Sequence, residues 1–422
     1  MPSINYNGLG KPALALPVAE MLRGQPGIAL DFSDQRRALS TISGAEYLGP
    51  AAGLPELTFA RASVASYIDA AGQIQFAASG QPRFTYDKET LAPLGFLAEA
   101  ARTNALANPI WSGPTTPTSW GSYSPEGVSI VPSKFGPNVS ARRFTAEGNR
   151  PRLHQAVTLA AGVTYTFSVE AERVVSALAA AHALFCGTAG VTLTYPACPA
   201  NPAGGAASAL TTGRFVMQAV SATTQAASFQ LGAGTQHNLV GMVIDFSMPQ
   251  LEAGGWPTSF IPGGARAADR LTLTLPFDAG EEGITIAAKG RMPRWINPSS
   301  SNLFSFGVPS LATRLSAFAY AASALGIGSG GTPAPFATTH YQVVAGGAPA
   351  RVAISSATTG DYRMCINGGG IATRAGTAMP AGSTFLDIGG LLGPYAWGDA
   401  VESIAVWRGT PHSDATLQGL LS

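Results

Sequence analysis

The chain reads as all-β: two antiparallel sandwiches in tandem behind a small hairpin block and an irregular N-terminal segment. Three observations carry that reading. Val163, Tyr165, Phe167 and Val169 alternate with Thr164, Thr166, Ser168 and Glu170, the period of a strand with one wet face. Val240, Met242, Ile244, Phe246 and Met248 repeat the pattern about eighty residues on. Glycine and proline, at 50 and 31 residues, punctuate the strands yet stay below the ~25–30% share of a low-complexity chain.

Taken in order, residues 1–50 show no clear period. Pro17 to Leu22 allows one or two helical turns, stopped by Gly24 and Pro26. Such a weakly patterned head suits a docking segment that orders against a partner. Residues 51–105 read as two hairpins. Tyr67-Ile68 enters a turn at Asp69 to Gly72 and returns through Ile74 and Phe76; Phe84 and Tyr86 turn at Asp87 to Thr90 and return through Leu94 and Phe96. Two hairpins alone are marginal in water, so this block should lie on a neighbour. Residues 106–262 hold repeated short strands between Ala-, Gly- and Thr-rich turns, as in a sandwich. Residues 263–422 repeat that grammar through Leu271 to Phe277, Gly283 to Ala288, Arg351 to Ile354, Thr384 to Ile388 and Val401 to Trp407. They close on a short helix capped by Ser413, with Leu417, Leu420 and Leu421 on one face. No solenoid-length repeat appears, which speaks against a β-helix.

Composition narrows the function classes. Charged residues make up 12% of the 422, about half the usual ~25%. That suits a subunit that buries surface against copies of itself. Hydrophobic residues reach 46%, but no unbroken run approaches the ~20 residues of a membrane span. A net charge of +1 argues against a general nucleic-acid binder. The tight basic pairs Arg36-Arg37 and Arg142-Arg143 read as solvated surface. Three cysteines, Cys186, Cys198 and Cys365, without a Cys-x-x-Cys exclude a disulfide framework and a zinc ribbon. Cys186 and Cys198 read as free thiols, with pairing after release from a reducing cytosol left open. Ala13 to Leu22 is apolar but holds Pro17 and Glu20, and no basic cluster precedes it, so no secretion signal is expected and folding in the cytoplasm is.

Four groups of residues then stand out: Thr58-Phe59-Ala60-Arg61-Ala62-Ser63 with Tyr67-Ile68-Asp69 and Gly72; Pro82-Arg83-Phe84; Glu99-Ala100-Ala101-Arg102-Thr103-Asn104; and Pro249-Gln250-Leu251-Glu252-Ala253-Gly254 with Pro257-Thr258-Ser259-Phe260-Ile261-Pro262. In this order they resemble the modular fibre and spike proteins of tailed bacteriophages and phage-like particles. Gly162 to Val169, the closing Pro249 to Pro262 and the linker Arg266-Ala267-Ala268-Asp269 are similar to the carbohydrate-binding-like jelly roll of such proteins. The C-terminal part resembles, more weakly, concanavalin/laminin-G-like sandwiches. The resemblance implies a virion structural protein, fibre or spike, localised to the virion after folding in the bacterial host cytoplasm. Its partners would be other virion proteins through the N-terminal segment, a host-surface polysaccharide, and itself as a homotrimer, with no nucleic acid and no membrane insertion.

Enzyme motifs fail in turn. There is no Gly-x-Ser-x-Gly elbow, His-Glu-x-x-His or P-loop. Gly326 to Gly331 formally contains Gly-x-Gly-x-x-Gly, but Thr332-Pro333-Ala334-Pro335 follows and no helix can start there; it reads as a loop. The five histidines are scattered, and no Asp-x-Asp cluster marks a calcium loop, so no metal or cofactor is expected. Glu170 and Glu172 share a strand face at ~7 Å, near the spacing of a glycosidase pair, but two acids on a wet face are ordinary. Sugar binding instead asks for flat aromatic faces with amides or cations beside them. Trp111, Trp120, Tyr123, Arg152, His154 and Gln155 are the candidates in the jelly roll, although both tryptophans also suit core packing. Trp295 and Trp397, in loop settings, are the candidates in the last domain, and Trp407 reads as core. The expected function is non-enzymatic attachment to a host-surface glycan. Its rivals are a purely structural adaptor or spike base that binds only virion proteins, and a capsule depolymerase.

Overall fold

The computed structural model describes residues 22, 25–33, 37–43, 45–48, 56–175, 179–232, 240–293, 301–307, 314–320, 324–330, 337–358, 361–375, 379, 381–390, 397–409 and 412–420. The expected turns at Pro17 to Leu22 lie, but for Leu22, outside these residues, as do Arg36, Trp295 and Leu421. The regular structure described is strand, apart from short helical turns and the terminal helix Asp414–Gly419, which Ser413 caps as expected by accepting from the Thr416 amide.

Two face-to-face sandwiches form. The first lies within residues 121–253. Its four-stranded sheet runs Gly121–Tyr123, Arg152–Leu159, Gln225–Gly232, Leu184–Cys186. Its six-stranded sheet runs Val128–Pro132, Ser140–Glu147, Val240–Ala253, Thr164–Val175, Gly213–Ser221, Val191–Thr194. Alternation sends Phe167, Phe215 and Phe246 from one sheet and Leu153, Phe229 and Leu231 from the other into a shared core, where Phe167 meets Phe229 edge-on at 5.5 Å.

The second sandwich is discontinuous in sequence. Gly27–Asp31, buried along its whole length, pairs antiparallel with Asp399–Arg408, Ala29 opposite Ala405. Leu57–Ala60 pairs with Arg270–Thr274, and Pro93–Ala98 with the start of Asp399–Arg408. These segments complete ten-stranded and seven-stranded sheets whose inner faces, Ile286, Ile404 and Val406 on one side and Leu303, Phe304 and Leu386 on the other, share one core. The division expected at residues 50 and 105 is therefore corrected. Gly27–Asp31, Arg37–Ser40 and Ala45–Leu48 belong with the C-terminal sheet instead of waiting for a partner, and Ile28, Leu30 and Phe32 supply part of that core. The jelly roll interrupts this second sandwich.

Both expected hairpins form, Ala65–Ile68 with Ile74–Ala77 and Phe84–Tyr86 with Pro93–Ala98, and Gly72 takes the positive φ (74°) its turn requires. The glycine run expected as a loop is instead the strand Ala324–Gly330, paired on both sides. Leu325 and Ile327 point into the core, and the glycines at 326, 328 and 330 conceal the alternation.

Of the residues that carry the resemblance to phage proteins, Arg61, Arg83, Glu99, Asn104, Arg266 and Asp269 are buried together where the two sandwiches join. Arg61 Nη1 meets Asp269 Oδ1 at 3.0 Å, Arg83 reaches both Asp269 and Glu99 (2.9 Å to the latter), and Arg266 meets Glu99 at 3.1 Å. The Ser259 amide and hydroxyl both donate to Glu99, at 2.6 and 2.5 Å. Asn104 donates to Ile261 O and accepts from the amides of Leu106 and Leu251. Burial alone would raise the Glu99 carboxyl, but Arg266, Arg83 and Ser259 outweigh it and hold its pKa at about 2. Buried charges persist only when paired in this way.

Candidate functional site

The outer face of the four-stranded sheet gathers chemistry that the inner face does not. Along Arg152–Leu159 the side chains of Leu153, Gln155 and Leu159 turn inward, while Arg152, His154, Ala156 and Thr158 turn outward. Register places Tyr123 opposite Arg152, His154 opposite Gln230, and Gln230 opposite Phe185. One patch thus crosses all four strands.

Its geometry is that of a platform. The Tyr123 and His154 rings stack, centroids 4.7 Å apart and planes within 28°. The Arg152 guanidinium carbon lies 4.6 Å from the Tyr123 centroid and 5.3 Å from that of Phe185, and Nη1 donates to Gln230 Oε1 at 2.9 Å. Tyr123 keeps 46% of its surface exposed. Two glycines make the platform fit. A Cβ at Gly121 would fall 2.3 Å from the His154 ring, and one at Gly187 would fall 2.6 Å from Gln230 Nε2. Burial, with Arg152 beside it, holds the His154 pKa below 6.5, so the ring is neutral at physiological pH. Such a surface offers a flat aromatic face, a fixed cation and an imidazole, the groups that read a pyranose ring and its substituents.

The remaining predicted residues are elsewhere. Trp111 is fully buried and Trp120 is 6% exposed; they pack edge-on at 5.7 Å, and Trp120 Nε1 donates to Ala107 O. Gln155 accepts from the Ala107 amide at 2.7 Å and donates to Ser119 O, holding the same loop. Trp397 is fully buried in the second sandwich. Burial removes these four from contact with a sugar, because each indole or amide is spent on packing or on loop carbonyls. Trp407 is core as expected, at 2% exposure. Arg142, expected on the surface, is buried and donates to the carbonyls of Trp111, Pro114 and Thr115, while Arg143 makes a bidentate pair with Asp245. Glu170 is buried rather than on a wet face, and a register shift between Ala171 and Arg173 interrupts the alternation at Glu172. Glu170 pairs with Lys88 at 2.6 Å, and Glu172 accepts from Ser133 Oγ and the Lys134 amide.

Phe185 and Gln230 were not among the predicted residues. The alternation of Gln225–Gly232, with Ala227, Phe229 and Leu231 inward, is the signal that would have put Gln230 on the outer face. A second concavity of about 240 Å³ lies between the Ala65–Ala77 hairpin and the jelly roll, walled in part by Tyr67, Phe135, Met248 and Phe260. All three cysteines are free thiols. Among the described residues no group of three or more His, Cys, Asp or Glu side chains is placed to hold a metal ion, and no helix is long and apolar enough to cross a membrane.

No protein-family model matches the chain, and no curated protein does. Among solved structures, the carbohydrate-binding module CBM40 of the Ruminococcus gnavus IT-sialidase, bound to α2,3-sialyllactose, aligns with 19% identity over 33% of this chain and 83% of that one, TM-score 0.28. Domain 4 of the Geobacillus stearothermophilus GH43 arabinanase AbnA, in complex with arabinotriose, aligns with 14% identity over 40% and 82%, TM-score 0.29. The Trypanosoma rangeli sialidase in complex with the inhibitor DANA aligns with 10% identity over 91% and 65%, TM-score 0.28. TM-scores of this size carry no argument about function.

Proposed function

We propose that the chain is a non-enzymatic attachment protein, a fibre or spike subunit of a phage-like virion, whose jelly roll binds a host-surface glycan. The observation that carries the binding reading is the exposed Tyr123, stacked on His154 and crossed by Arg152, on the outer face of the four-stranded sheet. The virion setting rests on the resemblance of the residues that make up the buried junction. Binding rather than hydrolysis is supported by Glu170 and Glu172, whose carboxylates are engaged in holding Lys88, Ser133 and Lys134. A single platform of this kind binds weakly. A homo-oligomer, a trimer by resemblance to phage fibres, would gain from rebinding at high effective concentration.

The test is a panel of host-surface oligosaccharides probed with the wild-type protein, Tyr123→Ala and Trp120→Ala. Loss of one stacked contact, worth roughly 0.5–1.5 kcal/mol, should weaken Tyr123→Ala about threefold to tenfold per site with Tm unchanged. Trp120→Ala should instead lose roughly 3–5 kcal/mol of stability, as a core residue does. Wild-type protein that binds no glycan yet assembles onto particles would replace this reading with the structural adaptor. New reducing ends released from host polysaccharide would replace it with the depolymerase.

A further inference from the structure

Several arginines of this chain are neutralised by what surrounds them. Arg61, Arg83 and Arg266 share Asp269 and Glu99; Arg143 has Asp245, Arg291 has Asp87, and Arg408 has Glu282. Arg142, with no acid beside it, is enclosed by backbone carbonyls. Arg152 differs. It is half-buried on the platform, makes one hydrogen bond, to the neutral Gln230, and its Nε is buried with no acceptor. Arg150, two residues earlier, also has a buried Nε with no acceptor, and its charge acts on Arg152. Among the described residues no carboxylate lies within ion-pair distance of either.

Desolvation of a cation without a counter-ion is unfavourable, and Arg152 is held below the usual arginine pKa by burial first and by Arg150 as well. Tyr123 acts in the opposite direction without outweighing burial. His154 is neutral and Gln230 is an amide, and His154 Nδ1 is itself buried without a partner. The rings of Tyr123 and Phe185, at 4.6 and 5.3 Å, fix the guanidinium in place. Its second Nη and the remaining Nη1 hydrogen have no acceptor among the described residues. A fixed guanidinium with adjacent free donors matches the two oxygens of a carboxylate.

We propose that this face selects an acidic sugar, a uronate-type residue whose ring packs on the exposed part of Tyr123 and whose carboxylate is taken by Arg152, with Arg150 adding attraction. This deepens the attachment reading and rests on it. The occupant is a segment of acidic surface polysaccharide. A neutral glycan would leave the charge of Arg152 uncompensated and pay for its burial a second time on covering it.

The experiment compares oligogalacturonate and oligoglucuronate with their methyl esters by calorimetry, against wild-type protein, Arg152→Gln and Tyr123→Ala. Wild type should bind at least one acid about tenfold or more tighter than its ester, with affinity falling as salt rises. Arg152→Gln should bring that acid down to the level of the ester and leave the ester unaffected. Tyr123→Ala should weaken acid and ester alike. Equal binding of acids and esters, or an acid preference that survives Arg152→Gln, overturns the inference while the attachment reading stands. Absence of binding by every acid and ester, and by a panel of neutral oligosaccharides, overturns both. Should Arg152→Gln lower the Tm, Arg150→Gln, farther from the stack, serves in its place and should reduce the acid preference severalfold.

Discussion

Replacing Asp269 with Asn should destabilise the protein more than any surface charge change. Asp269 Oδ1 accepts from Arg61 Nη1 at 3.0 Å and Arg83 Nε at 3.3 Å, and Oδ2 accepts from Arg83 Nη2 and the Glu99 amide. The side chains of Arg61, Arg83 and Asp269 are wholly inaccessible to solvent. An asparagine of the same size keeps one acceptor, turns an NH2 toward a donor, leaves Arg83 with Glu99 as its remaining carboxylate partner, and leaves Arg61 with only the carbonyls of Ser63, Ala77 and Ala78. Breaking a buried pair by removing one partner costs roughly 3–5 kcal/mol, because the stranded charge stays desolvated. At about 2–4 °C per kcal/mol for domains of this size, Tm should fall by roughly 6–20 °C in a calorimetric scan. Both sandwiches should loosen together, since the cluster ties Arg61, Glu99, Ser259 and Asp269 from separate stretches of chain. Arg363→Gln is the internal control. Its pair with Asp414, at 3.4 Å, has both side chains about half exposed, and an exposed pair is worth about 0–1 kcal/mol. A loss below about 1 kcal/mol in Asp269→Asn, no larger than in Arg363→Gln, would refute the claim that the cluster fastens the two sandwiches.

Three further outcomes follow from the same geometry. The Glu99 pKa is depressed from 4.5 to about 2, so its stabilising effect is fully present above pH 4.5 and is lost as pH falls through about 2; Glu99→Gln should lack that slope in acid melts. Asp387 is fully buried, and burial pushes its pKa up to about 8 despite Arg270 at 3.9 Å and the Gly390 amide, which both favour the charged form. A raised carboxyl pKa removes stability as pH rises from about 4 to about 8, so Asp387→Asn should gain Tm over wild type progressively across that interval, and a constant difference would contradict it. Removing residues 1–48 deletes the buried strand beside Asp399–Arg408 and should abolish the cooperative melt of the second sandwich; an intact melt would show that the strand is dispensable.

What could be read from the residues depended on whether the signal was local. The strand at Thr164–Val175 and the two hairpins were legible because alternation and turn glycines act within ten residues. The joining of Gly27–Asp31 to Asp399–Arg408 was not, because its partners lie more than 360 residues apart and no local pattern names them. Tyr123, Arg152 and His154 were picked by chemical type, and register brings them together. Trp111, Trp120 and Trp397 were picked for the same flat faces, but a large flat side chain fills a core equally well, and here burial decides. The Arg61, Arg83, Glu99 and Asp269 motifs marked a setting without their role. That role is a closed set of buried ion pairs, visible only once three stretches of chain meet.

The most direct test of the central claim is amide hydrogen exchange of the full chain, with and without saturating host-surface polysaccharide. Glycan binding at the platform predicts protection confined to peptides covering Gly121–Tyr123, Arg150 to Ala156 and Ser228 to Gly232, and its absence in Tyr123→Ala. Protection centred on the second sandwich, or none at saturation, would contradict it.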